Sequence, residues 1–204
     1  MAVFSADFAS RENLEKIVAL GDYLAIKRNL ETQGMLRFVQ EGGESGYSAR
    51  QLKDAEAAAK LTRWIDALSN ERKWPIKRFT EQIAPMLAEG IAVAVAPSHN
   101  PFTTETPIRA LAQKLTELGE RVDATGCLVR HTKIRRIGYG GPSYLHLHQE
   151  TIRVENEALF FGKPVLLLDD IARSGATLRA CRRLLLDHGA SEVQMLVLGR
   201  VWRG

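Results

Sequence analysis

Cysteine is scarce in this chain, which has two in 204 residues, Cys127 and Cys181. They are too few and too far apart for a disulfide framework or a zinc site, and both are read as reduced and buried, although spacing alone leaves a single bridge open. Long apolar runs are missing too. The longest, Ile91 to Pro97 and Val165 to Leu168, fall far short of the roughly 18 residues that cross a bilayer, so no membrane partner is expected. The opening Met1-Ala2-Val3-Phe4-Ser5-Ala6-Asp7 has no basic segment followed by an apolar one, so no secretory leader is read and a cytoplasmic address is expected. Low-complexity tracts and internal repeats are lacking. With 16 Gly, 7 Pro and 25% charged residues, this excludes collagen-like and disordered chains. The excess of one charge is small: a formal net of +4 favours anionic partners without separating nucleic acid from a phosphorylated small molecule.

What is present is enough for a core. A hydrophobic fraction of 45% suits one domain of ordinary size. The pattern changes near Gly90, which divides the chain into a mostly helical part, 1–90, and a part, 91–204, where β-rich runs alternate with helices. Ser10, followed by Asn13 and by apolar Leu14, Ile17, Val18 and Leu20, predicts a helix over Ser10 to Leu20. A helical stripe of Leu52, Ala55, Ala59, Leu61, Trp64, Ile65 and Leu68 predicts a second over Ser48 to Leu68, after a turn at Gly42 to Gly46. A third is expected over Thr80 to Ala88.

From Ile91 the period shortens. Ile91 to Ala96 reads as a buried strand, Thr104 to Leu118 as an amphipathic helix, and Cys127 to Val129 as a strand. Val165 to Leu168, Thr177 to His188 and Val193 to Leu198 then read as strand, helix and strand. The alternation implies an α/β fold with a parallel sheet covered on both faces.

The chemistry concentrates in Val165 to Leu178. An apolar strand runs into two acids, Asp169 and Asp170, followed by Ile171-Ala172-Arg173-Ser174-Gly175-Ala176-Thr177 and a helix. Ligands of parallel sheets bind at the carboxyl ends of the strands. The amides from Ser174 to Thr177, freed by small residues and backed by the helix dipole, can line a phosphate. The acids would repel that phosphate but suit sugar hydroxyls and a hard cation a few ångströms away. A ribose 5-phosphate fits both ends. Paired acids after a strand also occur in receiver domains and helicases, and only the downstream Ser-Gly-Ala-Thr favours the ribose.

This order of features resembles the 5-phosphoribosyl 1-pyrophosphate (PRPP) loop of type I phosphoribosyltransferases. The wider stretch from Ile91 to Arg200 is most similar to the ComF-type members associated with DNA uptake: it shares the strand ending at Pro97-Ser98-His99, a basic connector, Gly162-Lys163, and Gly189-Ala190 before Val193. The resemblance implies an α/β core flanked by helices, with residues 1–90 as a helical hood that recognises the acceptor. It implies that Asp169 and Asp170 act catalytically, hold the ribose hydroxyls and bind Mg2+, and that Ala172, Arg173, Ser174, Gly175, Ala176 and Thr177 hold the 5-phosphate. Ser98, His99, Arg130 and Lys133 would then bind pyrophosphate. The implied activity is Mg2+-dependent transfer of the phosphoribosyl group from PRPP to a nitrogen acceptor. A non-catalytic PRPP- or nucleotide-binding accessory protein acting with DNA-uptake or DNA-processing partners is the alternative, and a homodimer is common among such proteins. Arg173 departs from the usual Thr, and the pyrophosphate loop is Pro97-Ser98-His99-Asn100-Pro101 rather than basic and Gly-rich.

The connector carries Arg130, Lys133, Arg135, Arg136 and Arg153, with glycines at 138, 140 and 141. It could neutralise a leaving pyrophosphate as a mobile loop, form a solvated basic face, or contact nucleic acid, though Tyr139 and Tyr144 are the only aromatics near it. His146 and His148 would share one side of an extended strand, as metal ligands can, or be ordinary loop histidines. His99 is placed at the ligand edge, for pyrophosphate or for packing. Trp64 reads as core and Trp74 as a packing anchor, while Tyr23, Lys27 and Arg28 are the N-terminal residues that could approach the site.

Overall fold

Side chains of successive strand residues point to opposite faces, and three runs obey that rule at the centre of the molecule. In the computed structural model they are β3 (Ala92–Val95), β7 (Pro164–Ala172) and β8 (Glu192–Val201). The structure describes residues 2–201 apart from 12, 15, 42, 44, 45, 47 and 136–143. Gly42, Glu44 and Ser45 of the expected turn, and Arg136, Gly138, Tyr139, Gly140 and Gly141 of the connector, lie outside the described residues, as do the side chains of Ser10 and Lys27. Val165, Leu167, Val193, Met195, Ala92 and Ala94 face one core, and Leu166, Leu168, Leu196, Leu198, Val93 and Val95 face the other.

These strands lie in one parallel sheet with β1 (Ile17–Ala19), β2 (Asp22–Tyr23) and β4 (Val122–Asp123), in the order β1-β8-β7-β3-β4, with β2 pairing further along β8. The first face is covered by α6 (Ala176–Asp187), through Leu178, Cys181 and Leu185. The second is covered by α2 (Ala49–Ser69), α3 (Trp74–Ile83) and α4 (Pro107–Glu117), which contribute Ile65, Leu68, Phe79, Ile83, Leu111 and Leu115. Helix α1 (Ile26–Gln40) packs on α2. No described helix is long and apolar enough to cross a membrane.

Four expectations change. The helix over Ser10 to Leu20 is a 3-10 turn, Ala6–Arg11, followed by strand β1. Ile17 and Val18 are β-branched and pair with Met195 and Leu196, so sheet pairing overrides a weak helical pattern. The helix expected over Thr80 to Ala88 begins at Trp74, where Pro75 suits the first turn, and leaves α geometry after Ile83, just before Pro85. The strand at Cys127 is β5 (Leu128–Arg130), but it pairs antiparallel with β6 (Ile152–Val154) in a separate ribbon; β4, too short to stand out by its pattern, takes the place in the parallel sheet. His146 and His148 lie on helix α5 (Leu145–Thr151), where two positions turn a side chain by about 200°. They point apart: His148 is buried, and exposed His146 stacks on Tyr144 with ring centroids 5.6 Å apart.

Candidate functional site

Strand β7 carries the acids within its last four residues rather than beyond its end. Its ladder to β8 runs Leu168 to Leu196 and Asp169 to Val197, then resumes at Ile171 with Gly199. The carboxylates take over at the interruption: Asp169 Oδ1 accepts from the Asp170 amide at 2.9 Å, and Asp170 Oδ1 from the Ile171 amide at 2.6 Å. Each acid thus stands in for a ladder acceptor and is held at the sheet's carboxyl edge. Burial, then the neighbouring charge of Asp170, holds the Asp169 carboxyl well above the usual carboxylate range.

Past Ala172 the chain turns at Gly175, whose φ of 74° is left-handed. A Cβ at Gly175 would come within 2.3 Å of Ile17 Cδ1, so glycine is required by conformation and by space. Ser174 Oγ accepts from the Ala176 amide at 3.3 Å, and no side chain caps α6. The first turn of that helix therefore opens with its amides and positive dipole end toward the cleft.

Opposite the turn, buried Arg130 joins three segments. Its Nε donates to Ser98 O at 2.6 Å, Nη1 donates to Thr151 Oγ1 at 2.6 Å, and Nη2 lies 3.3 Å from His148 Nδ1. A guanidinium only donates, so Nδ1 accepts and the proton of neutral His148 sits on Nε2, 3.5 Å from Thr177 Oγ1. Burial, then the Arg130 charge, pushes His148 down to about 4. The Thr177 hydroxyl, approached from behind by an N–H, is left with its own proton for an acceptor in the cleft. Burial also lowers Arg130 from its usual value.

The resulting cleft, about 170 Å³, is lined by Asp169, Asp170, Ile171, Ala172, Arg173, Ser174, Gly175, Ala176, Thr177 and Leu178 on one side and by Pro97, His99, Arg130, Ile134, Arg135 and His148 on the other. Eight residues named for the ribose and 5-phosphate thus sit together, with His99 and Arg130 across from them. Ser98 and Lys133 are not in the lining. Ser98 contributes its carbonyl to Arg130, and its hydroxyl accepts from the Asn100 amide at 3.4 Å; Lys133 is exposed. Arg153 forms an exposed ion pair with Glu155 at 2.7 Å. The sequence reading missed Thr151, which carries the Arg130 network, and Ile17, which packs over Gly175. Neither has a local signal, since each acts through a contact distant along the chain. Among the described residues no group of three or more His, Cys, Asp or Glu is arranged to cage an ion. A divalent cation here would rest on the two carboxylates and on oxygens of its ligand, as Mg2+ commonly does with phosphates.

The mostly parallel sheet flanked by helices is the fold of type I phosphoribosyltransferases. Residues 106–200 match the phosphoribosyl transferase domain family. No curated protein matches the chain. Among solved structures, an allosteric regulatory enzyme of purine biosynthesis is similar at 18% identity and a TM-score of 0.37, over 67% of this chain and 25% of its own. Phosphoribosylpyrophosphate synthetase from Mycobacterium smegmatis is similar at 15% identity and a TM-score of 0.34, over 97% of this chain and 73% of its own. The chain thus spans a quarter of the first of these and about three quarters of the second.

Proposed function

We propose that the chain binds PRPP in the cleft between β7 and the Pro97 loop and transfers its phosphoribosyl group to a nitrogen acceptor. The observation that carries this reading is the pairing of two carboxylates with an uncapped helix start behind Gly175, which gives acceptors at one end of the cleft and donors at the other. Asp169 and Asp170 accept from the ribose hydroxyls. Main-chain amides at the start of α6, with the Ser174 and Thr177 hydroxyls, take the 5-phosphate. Asp169 and Asp170 would also hold Mg2+, which supplies positive charge to the pyrophosphate as it departs.

In the reaction the bond from ribose C1 to the pyrophosphate oxygen breaks, and its electron pair leaves with pyrophosphate. The acceptor nitrogen's lone pair forms the new bond to C1, and that nitrogen releases its proton to solvent. The chain fixes the sugar and surrounds the leaving group with positive field from Arg130 and Arg135. Residues 1–90 serve as the acceptor side in this reading. A cavity of about 710 Å³ between α1 and α2, lined by Arg28, Met35 and Trp64, offers the space. Tyr23 links that side to the cleft: burial, then Asp66, pushes its hydroxyl up to about 12, and it feels the charges of Arg173 and Asp170.

One feature favours the non-catalytic alternative, a PRPP- or nucleotide-binding accessory of DNA processing similar to the ComF type. Arg130, the cation expected at the pyrophosphate, spends N–H groups on Ser98, Thr151 and His148. Incubation with PRPP, Mg2+ and a panel of nitrogenous bases decides between them, with pyrophosphate release expected for transfer. PRPP binding without release, together with steeply salt-dependent binding of single-stranded DNA, is the accessory outcome. Equal PRPP affinity in the native chain and in Asp169→Asn/Asp170→Asn would remove the acids from the site and overturn both readings.

A further inference from the structure

We infer that a second chamber, on the β1 side of the loop 172–175, binds a phosphate-bearing ligand of nucleotide size. This cavity of about 440 Å³ shares only Ala172, Arg173, Ser174 and Gly175 with the cleft. Its other walls come from Lys16, Ile17, Arg179 of α6, and Met195 and Arg200 of β8. The two cavities differ in charge. The cleft holds both acids, whereas the chamber is lined by Lys16, Arg173, Arg179 and Arg200 with no carboxylate. Four cations facing one concavity attract a dianion and leave nothing in the lining to repel it.

Two of the guanidiniums are already oriented. Arg179 Nη2 donates to Ser174 O at 2.6 Å, and Arg200 Nη2 donates to Ile17 O. Each carries five N–H donors in a fixed plane, so one pinned donor sets the direction of the others before a ligand arrives. Between the cations, Ile17 and Met195 supply an apolar floor. A cationic rim over an apolar floor suits a flat organic body that bears a phosphate, and a nucleoside monophosphate is the class that combines both. A volume of about 440 Å³ is that of a small-molecule site, which favours such a ligand over a nucleic-acid strand. The inference uses neither acid and does not depend on what fills the cleft.

The test is titration of the full chain with AMP, followed by calorimetry and by the Met195 methyl signal in NMR, with Met35, which lines the cavity between α1 and α2, as internal control. AMP should shift Met195 and leave Met35 in place. Lys16→Ala/Arg200→Gln should weaken that response at least tenfold, Arg200→Lys alone should keep most of it, and Asp170→Asn/Thr177→Val, altered only in the cleft, should keep all of it. An unmoved Met195, or an unchanged titration in Lys16→Ala/Arg200→Gln, overturns the inference. So does loss of the AMP response on adding a short single-stranded DNA, which would make the face a nucleic-acid surface. If instead Asp170→Asn/Thr177→Val binds PRPP like the native chain, the phosphoribosyl reading falls and the second chamber stands.

Discussion

At the scale of single residues, the cleft is built from groups held against their solution preference. Asp169 is an acid whose proton is bound more tightly in the folded chain than in the unfolded one, so its ionisation opposes folding as pH rises above the ordinary carboxylate range. Asp169→Asn should therefore raise the melting temperature of the ligand-free chain at neutral pH while weakening PRPP at least tenfold, as thermal melts and PRPP titration would read. His148 works in the opposite sense. Its folded value lies near 4, below the unfolded one, so the folded chain binds fewer protons and stability falls as pH drops from about 6.5 toward 4. His148→Gln should flatten urea-unfolding stability across that window. Gly175→Ala places a side chain at a left-handed φ and against Ile17, and should cost about 2 kcal/mol in the same measurement.

Secondary elements are tied together by arginines more than by ion pairs. Arg121, which precedes β4, donates to the carbonyls of Ala84, Leu87 and Ala88 and to Leu115 and Leu118 at the end of α4, over 2.9 to 3.2 Å. It closes two chain ends that Pro85 and Gly119 leave without regular partners. Burial lowers it from its usual value, a cost the five bonds offset. Arg121→Lys keeps the charge and loses the planar fork, so it should destabilise by about 2 kcal/mol in urea unfolding. Arg130 plays the same part between β5, the Pro97 loop and α5. The sequence shows Arg130 as one member of a basic stretch and sets Arg121 among acids, without a signal of its own. Which cations turn inward depends on where unpaired carbonyls lie, and that is not a local property.

For the whole molecule, the first residues close the sheet. β1 and β2 both pair with β8, Phe4 bridges to Leu87, and the Tyr23 hydroxyl donates to Asp66 at 2.8 Å. Inside, buried Gln194 accepts from the Asn13 amide at 2.7 Å. Removal of residues 1–24 would uncover the β8 edge together with Ile65 and Leu198, and should give an aggregating chain with fast amide exchange in β8. The two cores on either side of β7 and β8 were legible because alternation along a strand needs no knowledge of its neighbours. The contacts of the first residues with β8 were not, because β1 is three residues long and takes its identity from β8.

By itself the sequence determined the alternating strands β3, β7 and β8, the helices α2, α4 and α6, and the run from Asp169 to Thr177, since periodicity, caps and a glycine turn are set by residues a few positions apart. Only the tertiary structure decided that Arg130 and His148 stand behind Thr177, that Lys133 is exposed outside the cleft lining, and that Ile17 closes over Gly175. Those outcomes rest on hydrogen-bond partners and on space supplied from distant parts of the chain, which no short window of sequence contains.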